Sequence, residues 1–282
     1  MTRGVLPTGS THLLAIVGHP VDQVLAPSLW TDLFRSNGLD AICLALHVLP
    51  SGLREFLRGL REVGNLDGLI VTVPHKVAAL SLVDHVTDRA RRIGAVNSIR
   101  KDDDGGWLGD MLDGNGFVRA FEDGIRPVRG QRTLVVGSGG AGAAIAFALA
   151  DGGATEVDVA DVDSSRAGAL AERLVAAGTA SRAVPPVARG YDLVVNASPA
   201  GMRPSDPLPI DLDGVTREVA VADVVTKPAV TRLIEEASAR GCQVQQGLRM
   251  TMGQIPLQAS FFGYAPDEWT VGVSNDGAGR PS

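Results

Sequence analysis

Three stretches of the chain combine residue types that can move protons or hold a charged ligand. In Val71-Thr72-Val73-Pro74-His75-Lys76 an apolar, strand-like run passes through a proline into a helix start, leaving a lysine at a strand end. Lysine can give up and regain its proton, whereas arginine stays charged. Only three of the 26 basic residues are lysine, at 76, 101 and 227. A chain that covers its surface with arginine is most informative where it keeps lysine, although a plain exposed lysine on a helix is the competing reading. Gly94-Ala95-Val96-Asn97 places an amide in an apolar strand, where it needs a partner. Gly109-Asp110-Met111-Leu112-Asp113-Gly114 offers two carboxylates, and its Asp113-Gly114 also reads as a turn.

The second half carries a different chemistry. Gly137-Ser138-Gly139-Gly140-Ala141-Gly142 follows the apolar run 133–136 and opens an alanine-rich helix. Glycines at 137, 139 and 142 satisfy G-x-G-x-x-G, in which the first permits a tight turn, the second lets a pyrophosphate approach the backbone and the third lets helix and strand pack closely. The free amides and positive dipole of the helix start then hold phosphate. The next predicted strand ends in Asp161, 24 residues beyond Gly137 and near the distance expected of a ribose-binding carboxylate. A carboxylate there accepts from both ribose hydroxyls and repels a 2′-phosphate, and the nearest arginine is Arg166, so NAD is expected over NADP. An Asp that merely closes a strand is the alternative, and a methyltransferase binding an adenosyl cofactor uses a similar loop. Asn196-Ala197-Ser198-Pro199-Ala200-Gly201 and Asp223-Val224-Val225-Thr226 follow later strands, on the edge where open parallel sheets bind ligands, and together suit the nicotinamide side.

Positioning these groups requires a regular scaffold. Apolar runs at 12–18, 42–48, 68–73 and 95–100 read as strands, and 28–36, 53–63 and 76–93, broken near Val83, as helices. Residues 102–106 read as a hairpin turn, 116–123 as a short helix and 124–131 as a seam. Strands then follow at 132–137, 156–161, 192–198, 219–225 and 243–246, with helices at 140–150, 166–177, 230–240 and 248–262. Such alternation implies α/β architecture with parallel sheets covered by helices. Two series imply two domains: residues 1–113 with 248–282, whose helix returns to the first domain, and residues 114–247, a Rossmann-type dinucleotide-binding unit. The tail from Tyr264 is expected to fray.

The 282 residues carry a formal charge of −6, with 45% hydrophobic content. That balance is of a folded chain and gives no support to nucleic acid or anionic membrane as partner. No apolar run approaches the roughly 18 residues that span a bilayer, and the start shows no signal-peptide core. Cys43 and Cys242 stand singly, without metal-ligand spacing, so neither a disulfide framework nor a metal site is expected. A cytoplasmic enzyme is the expectation, with its oligomeric state open.

Taken in order, the motifs at 71–76, 94–97, 109–114, 137–141 and 196–198, with Gly247-Leu248 and Gln254, resemble the shikimate dehydrogenase family, including its quinate/shikimate branch. The resemblance covers residues 12 to about 262. It implies an NAD(P)-dependent oxidoreductase acting on a ring hydroxyl of an alicyclic acid. Lys76 and Asp113 would be its catalytic pair, and Thr72, Asn97, Gln254 and Thr226 would lie against the substrate. Gly137, Ser138, Gly139, Gly140, Ala141, Asp161, Asn196, Val224 and Gly247 would lie against the cofactor.

The departures matter as much. Where the family has Ser-x-Ser-Pro to hold the substrate carboxylate, this chain has Val24-Leu25-Ala26-Pro27. The family's Asn before Val-Thr-Val-Pro is Ile70, its cofactor-side Tyr is Thr226 and the second Gly of its Asp-Gly-Leu-Gly-Met run is Arg249. Each hydrogen bond to a charged group is worth about 1.5–3 kcal/mol, so shikimate is expected to be a poor substrate. Either Arg249 takes over the carboxylate or the substrate, for example a neutral cyclic polyol, has none there. His75 beside Lys76 could reach the ring or simply pack. A non-catalytic NAD-binding sensor remains the other reading of the lost anchor.

Overall fold

A computed structural model describes residues 6–264; of the tail expected to fray only Tyr264 is described, and its hydroxyl donates to Asp67 Oδ2, while the rest lies outside the described residues. The first series contains β1 (His12–Gly18), α1 (Ala26–Ser36), β2 (Ala41–His47), α2 (Leu53–Leu60), β3 (Leu66–Val71), α3 (Lys76–Leu80), β4 (His85–Val86), α4 (Asp88–Ile93), β5 (Ser98–Lys101) and β6 (Trp107–Asp110). After α5 (Asp113–Gly124) come β7 (Arg132–Val136), α6 (Gly140–Asp151), β8 (Glu156–Ala160), α7 (Ser164–Ala176), β9 (Leu193–Asn196), β10 (Ala220–Asp223), α8 (Arg232–Ala239), β11 (Gln243–Gln245) and α9 (Gly247–Phe261).

The second sheet has the order β11-β10-β9-β7-β8 and is parallel throughout, as its alternation implied. The chain reverses its direction of travel across the sheet at β7, so the carboxyl ends of β7 and β9 frame a ligand crevice. The first sheet, β2-β1-β3-β5-β6-β4, corrects the all-parallel expectation: β5 runs antiparallel to both β3 and β6. The cause is the tight turn at 102–106, where Asp102 Oδ1 accepts from the amides of Asp104 and Gly106 and folds β5 directly onto β6. Reversal of β5 has a consequence for the site. Asn97, just before β5, arrives at the same margin where β3 and β6 end, and it is tied there by Val71 N to Asn97 O (2.7 Å) and Asn97 N to Asp110 O (2.9 Å).

The expected helix over 76–93 is two short helices separated by β4, which pairs with β6. Asp113-Gly114 is no turn; it is the first turn of α5. That helix lies between α6 and α9, and glycine makes the approach possible on both sides. A Cβ on Gly114 would lie 2.0 Å from Ala144 O, and one on Gly116 would lie 2.2 Å from Gln254 Cγ. Opposite, a Cβ on Gly253 would lie 2.2 Å from Gly116 O. The backbones therefore touch without intervening side chains. Helix α6, made mostly of Ala and Gly and almost wholly buried, is apolar on all sides because it is covered on all sides. Its Ala143, Ala144 and Phe147 join Phe117 and Phe121 of α5 in an apolar cluster that takes in residues of both sheets. The return of α9 to the first sheet is visible in the cluster of Ile255, Ala259 and Phe262 with Ile16, Ile70 and Trp30.

Replacing Gly114 with Ala should destabilise the protein although alanine favours helices. The added carbon must displace a backbone carbonyl, and overpacking of this kind costs roughly 1–3 kcal/mol. A midpoint of thermal unfolding lowered by several degrees is expected; an unchanged or raised midpoint would show that α5 and α6 are not held this close.

Candidate active site

Lys76 is the first residue of α3, and its carbonyl accepts from Val96 N (2.9 Å), which ties it to the segment leading into β5. Its Nζ donates to Asp113 Oδ2 at 2.5 Å, with the lysine side chain 15% and the aspartate 3% exposed. The pair was expected from family resemblance alone; 37 residues separate the two in sequence, and the sheet margin and the α5 junction bring them together.

Asn97 holds the other carboxylate oxygen, its Nδ2 donating to Asp113 Oδ1 (2.7 Å) and, at 3.4 Å, to Gln254 Oε1. Its own Oδ1 accepts from Leu112 N (2.9 Å) and from Ser98 Oγ (3.1 Å). Asp113 is thus fixed from two sides. Asp110 contributes at one remove: Arg89 grips it with Nε and Nη2, Thr87 Oγ1 and Met111 N donate to its Oδ1, and the turn that delivers Asp113 is anchored. The sequence marked Asp110 only as part of a motif, and its side-chain partners Thr87 and Arg89 lie 23 and 21 residues away, beyond the reach of local pattern.

Lys76, Asp113, Asn97, Thr72 and Gln254 line one cavity of about 210 Å³. Ala141, Val224, Thr226 and Gly247 line it from the other side, so the cavity lies where the two sheets' ligand edges face each other. Four of the five positions that depart from the family pattern, Val24, Ala26, Ile70 and Thr226, line this same cavity. Its only charged lining residues, among those described, are Lys76 and Asp113. Arg249 is exposed on the first turn of α9 and does not line it, which removes it as a substitute anchor in this arrangement. His75 is buried and donates from Nε2 to Val48 O (2.7 Å), so it packs and does not face the cavity.

The glycine-rich loop has the shape that a dinucleotide phosphate requires. Gly137 has φ +106°, and a Cβ on Gly142 would lie 1.7 Å from Gly137 O, so neither position tolerates a side chain. Gly139 has open space apart from the Arg166 guanidinium, and α6 begins with no side-chain cap, leaving its first amides for a ligand. A Cβ on Gly140 would sit 3.4 Å from both Ala95 Cβ and Lys76 Cβ, which places the helix start beside the lysine.

Asp161 lies beyond this loop, and its Oδ2 accepts from Ser138 N (2.7 Å) and Ser138 Oγ (2.6 Å). Burial opposes its ionisation, but the Ser138 hydroxyl, the amides of Asp163 and Ser138 and the charge of Arg166 outweigh burial and hold it below the usual carboxylate range. Arg166 therefore comes closer to the glycine-rich loop than the sequence suggested. These features fit a nicotinamide dinucleotide, with residues 137–142 against the phosphates and Asp161 toward the adenosine ribose.

Asn196 is fully buried, and its amide is spent on Ala200 O, Asp223 Oδ1 and the Ser198 amide and hydroxyl. It was expected against the cofactor; the structure makes it a fastener of the loop after β9, because every polar atom it has is used inside the protein. Asp223 joins it, accepting from Val225 N (3.0 Å) and Thr231 Oγ1 (2.6 Å) and so shaping the segment that carries Val224 and Thr226. Burial lifts the Asp223 carboxyl to about 6, against these three donors. Since its folded value lies above its ordinary 3.8, the favourable contribution is complete below that value and is lost as pH rises through about 6. Wild type should therefore lose stability relative to Asp223→Asn between about pH 4 and about pH 8. Urea midpoints of both proteins across that range are the check, and a constant difference would contradict it.

Residues 16–99 match the profile of the shikimate dehydrogenase substrate binding domain. A shikimate dehydrogenase (NADP(+)) of Rubrobacter xylanophilus is 38% identical over 267 residues, which cover 92% of this chain and 93% of that protein. Two solved structures are similar over most of their length. Ligand-free 5-ketofructose reductase of Gluconobacter sp. strain CHM43 has a TM-score of 0.81 and 28% identity, covering 91% of this chain and 94% of that one. Quinate dehydrogenase from Corynebacterium glutamicum, in complex with NAD, has a TM-score of 0.79 and 33% identity, covering 90% and 94%.

Proposed function

The chain belongs to the shikimate dehydrogenase family, and from that premise we propose an NAD-linked dehydrogenase that interconverts a hydroxyl and a ketone on an alicyclic or polyol substrate held without the family's carboxylate anchor. Membership makes it an oxidoreductase of the shikimate/quinate type that uses a nicotinamide dinucleotide, and it sets aside the methyltransferase alternative. Residues 6–113 and 248–264 are assigned to the substrate and 114–247 to the dinucleotide.

The observation that carries the reading is the Lys76–Asp113 pair, enclosed in a cavity whose far wall is the cofactor side. Bound dinucleotide supplies the hydride acceptor. When the carbinol carbon gives up its hydride, the hydroxyl must lose its proton, and Lys76 in its neutral amine form takes it and becomes lysinium. In the reverse direction lysinium returns the proton to the oxygen. Asp113 keeps Nζ in place and balances its charge, while Asn97 prevents the carboxylate from turning. Thr72 and Gln254 border the substrate space.

The altered anchor is supported by where the departures fall. A carboxylate brought against Val24, Ala26 and Ile70 loses water and gains no donor, and two missing charged hydrogen bonds cost roughly 3–6 kcal/mol. A structural relative named for 5-ketofructose, a keto sugar without a carboxylate, supports a neutral substrate on this fold. Preference for NAD rests on the ionised Asp161, which would repel a 2′-phosphate at short range.

Nicotinamide absorbance with NAD or NADP and a panel of shikimate, quinate, aminated analogues and carboxylate-free cyclitols tests this reading. Turnover is expected with a carboxylate-free member; binding of NAD without any turnover would favour a sensor. Lys76→Ala should lower kcat by about 100-fold or more and leave the NAD dissociation constant unchanged; equal turnover would remove Lys76 from its role. Asp161→Asn should move the NADP-to-NAD ratio of kcat/KM toward NADP by about tenfold, and a wild type already preferring NADP would refute the cofactor assignment.

A further inference from the structure

Gln258 belongs to no motif, yet it is 3% exposed and lines the cavity one turn beyond Gln254. The orientation of its amide follows from a chain of donors. Leu112 N can only donate, and it donates to Asn97 Oδ1; Asn97 Nδ2 correspondingly faces the Asp113 carboxylate. Ser98 Oγ also meets Asn97 Oδ1, an atom that cannot donate, so the single hydroxyl hydrogen of Ser98 is spent there. What Ser98 offers Gln258 at 3.3 Å is therefore a lone pair, and the Gln258 atom facing it must be Nε2. Oε1 is left on the other side. Among the described residues no group bonds it, and it is not among the fully buried polar atoms that lack a partner. Only the cavity remains for it to face.

The neighbourhood is apolar. Ser98 pairs across the sheet with Ile70, and Ile70 with Ile16, so the three form one strip of the sheet surface. Ile255 and Ala259, flanking Gln258 on α9, pack in the same cluster as Ile16, Ile70, Ala26 and Trp30. A lone carbonyl acceptor thus stands beside the wall from which the family's donors are missing.

We infer that Gln258 determines specificity at this site: its Oε1 accepts a hydrogen bond from a substrate hydroxyl, and a carboxylate at that place is turned away. A hydroxyl supplies the hydrogen that the amide oxygen lacks. A carboxylate would set acceptor against acceptor in a wall that cannot solvate it. The inference rests on the proposed neutral substrate and deepens it, by naming the group that the apolar wall leaves to be recognised.

Two probes test it: shikimate, and its analogue with a hydroxymethyl group in place of the carboxylate. Binding to the NAD-loaded protein is followed by tryptophan fluorescence, since Trp30 lines the cavity, and turnover by NAD reduction. Wild type should bind the alcohol more tightly than shikimate. Gln258→Met should weaken the alcohol by about tenfold without weakening shikimate. Gln258→Lys, which adds a cation, should shift the affinity ratio toward shikimate by at least about tenfold. Unfolding midpoints confirm that both variants are folded. An alcohol-to-shikimate ratio unchanged in both variants overturns the inference, as does failure of wild type to bind the alcohol at tens of millimolar. If the ratio responds as expected but neither probe reduces NAD, the specificity assignment stands and the dehydrogenase reading fails.

Discussion

The site depends on one close approach. Helix α5 starts with Asp113 and is wedged between α6 and α9 where Gly114, Gly116 and Gly253 leave no side chains in the way. Its first turn is therefore in backbone contact with the helix that follows the glycine-rich loop and with the helix that carries Gln254 and Gln258. Any side chain at those glycines would push the acid away from the lysine and open the seam between the sheets. Three helices that meet without spacers also account for the apolar cluster that takes in residues of both sheets.

Within that frame, charge is concentrated and polarity is rationed. Lys76 and Asp113 are the charged groups of the cavity, and Asn97 donates to one carboxylate oxygen while Leu112, Ser98 and Gln254 hold its amide in place. A buried pair of this kind adds little to stability, because desolvation offsets attraction. In the proposed reaction its value lies in a preset geometry for one proton. The proposed substrate wall shows the opposite trend, since three positions that are polar in the family pattern are Val24, Ala26 and Ile70. Apolar surface there cannot solvate an anion, so selectivity falls to the few amides that remain, whose orientations the hydrogen-bond network sets.

Much of the scaffold was legible in the sequence because its signals are local. The second sheet follows from apolar runs alternating with helical patterns, and the glycine loop from a strand, three spaced glycines and a helix in succession. The first sheet was harder. The short run at 95–100 does not encode its direction, so the parallel reading misses that β5 is antiparallel. β4, with two residues, carries no period at all. Asp113-Gly114 has turn composition but is held helical by packing on both sides. Asn196 looked like a ligand contact because an amide after a strand is unusual, and its partner Asp223 lies 27 residues on. Ser98, Gln258 and the grip of Arg89 on Asp110 left no local mark either.

The sequence by itself determined the kind of chemistry: a lysine at a strand end, an acid before glycine and a phosphate loop ahead of a carboxylate are written in short spacings that local backbone geometry converts into position. Tertiary structure alone decided which of these groups meet. Whether Asp113 reaches Lys76, whether Arg249 faces the cavity or solvent, and which end of the Gln258 amide points inward depend on contacts between residues tens to more than a hundred positions apart. Such contacts are set by helix packing and by the direction of one short strand, and neither of these is carried by any local run of residues.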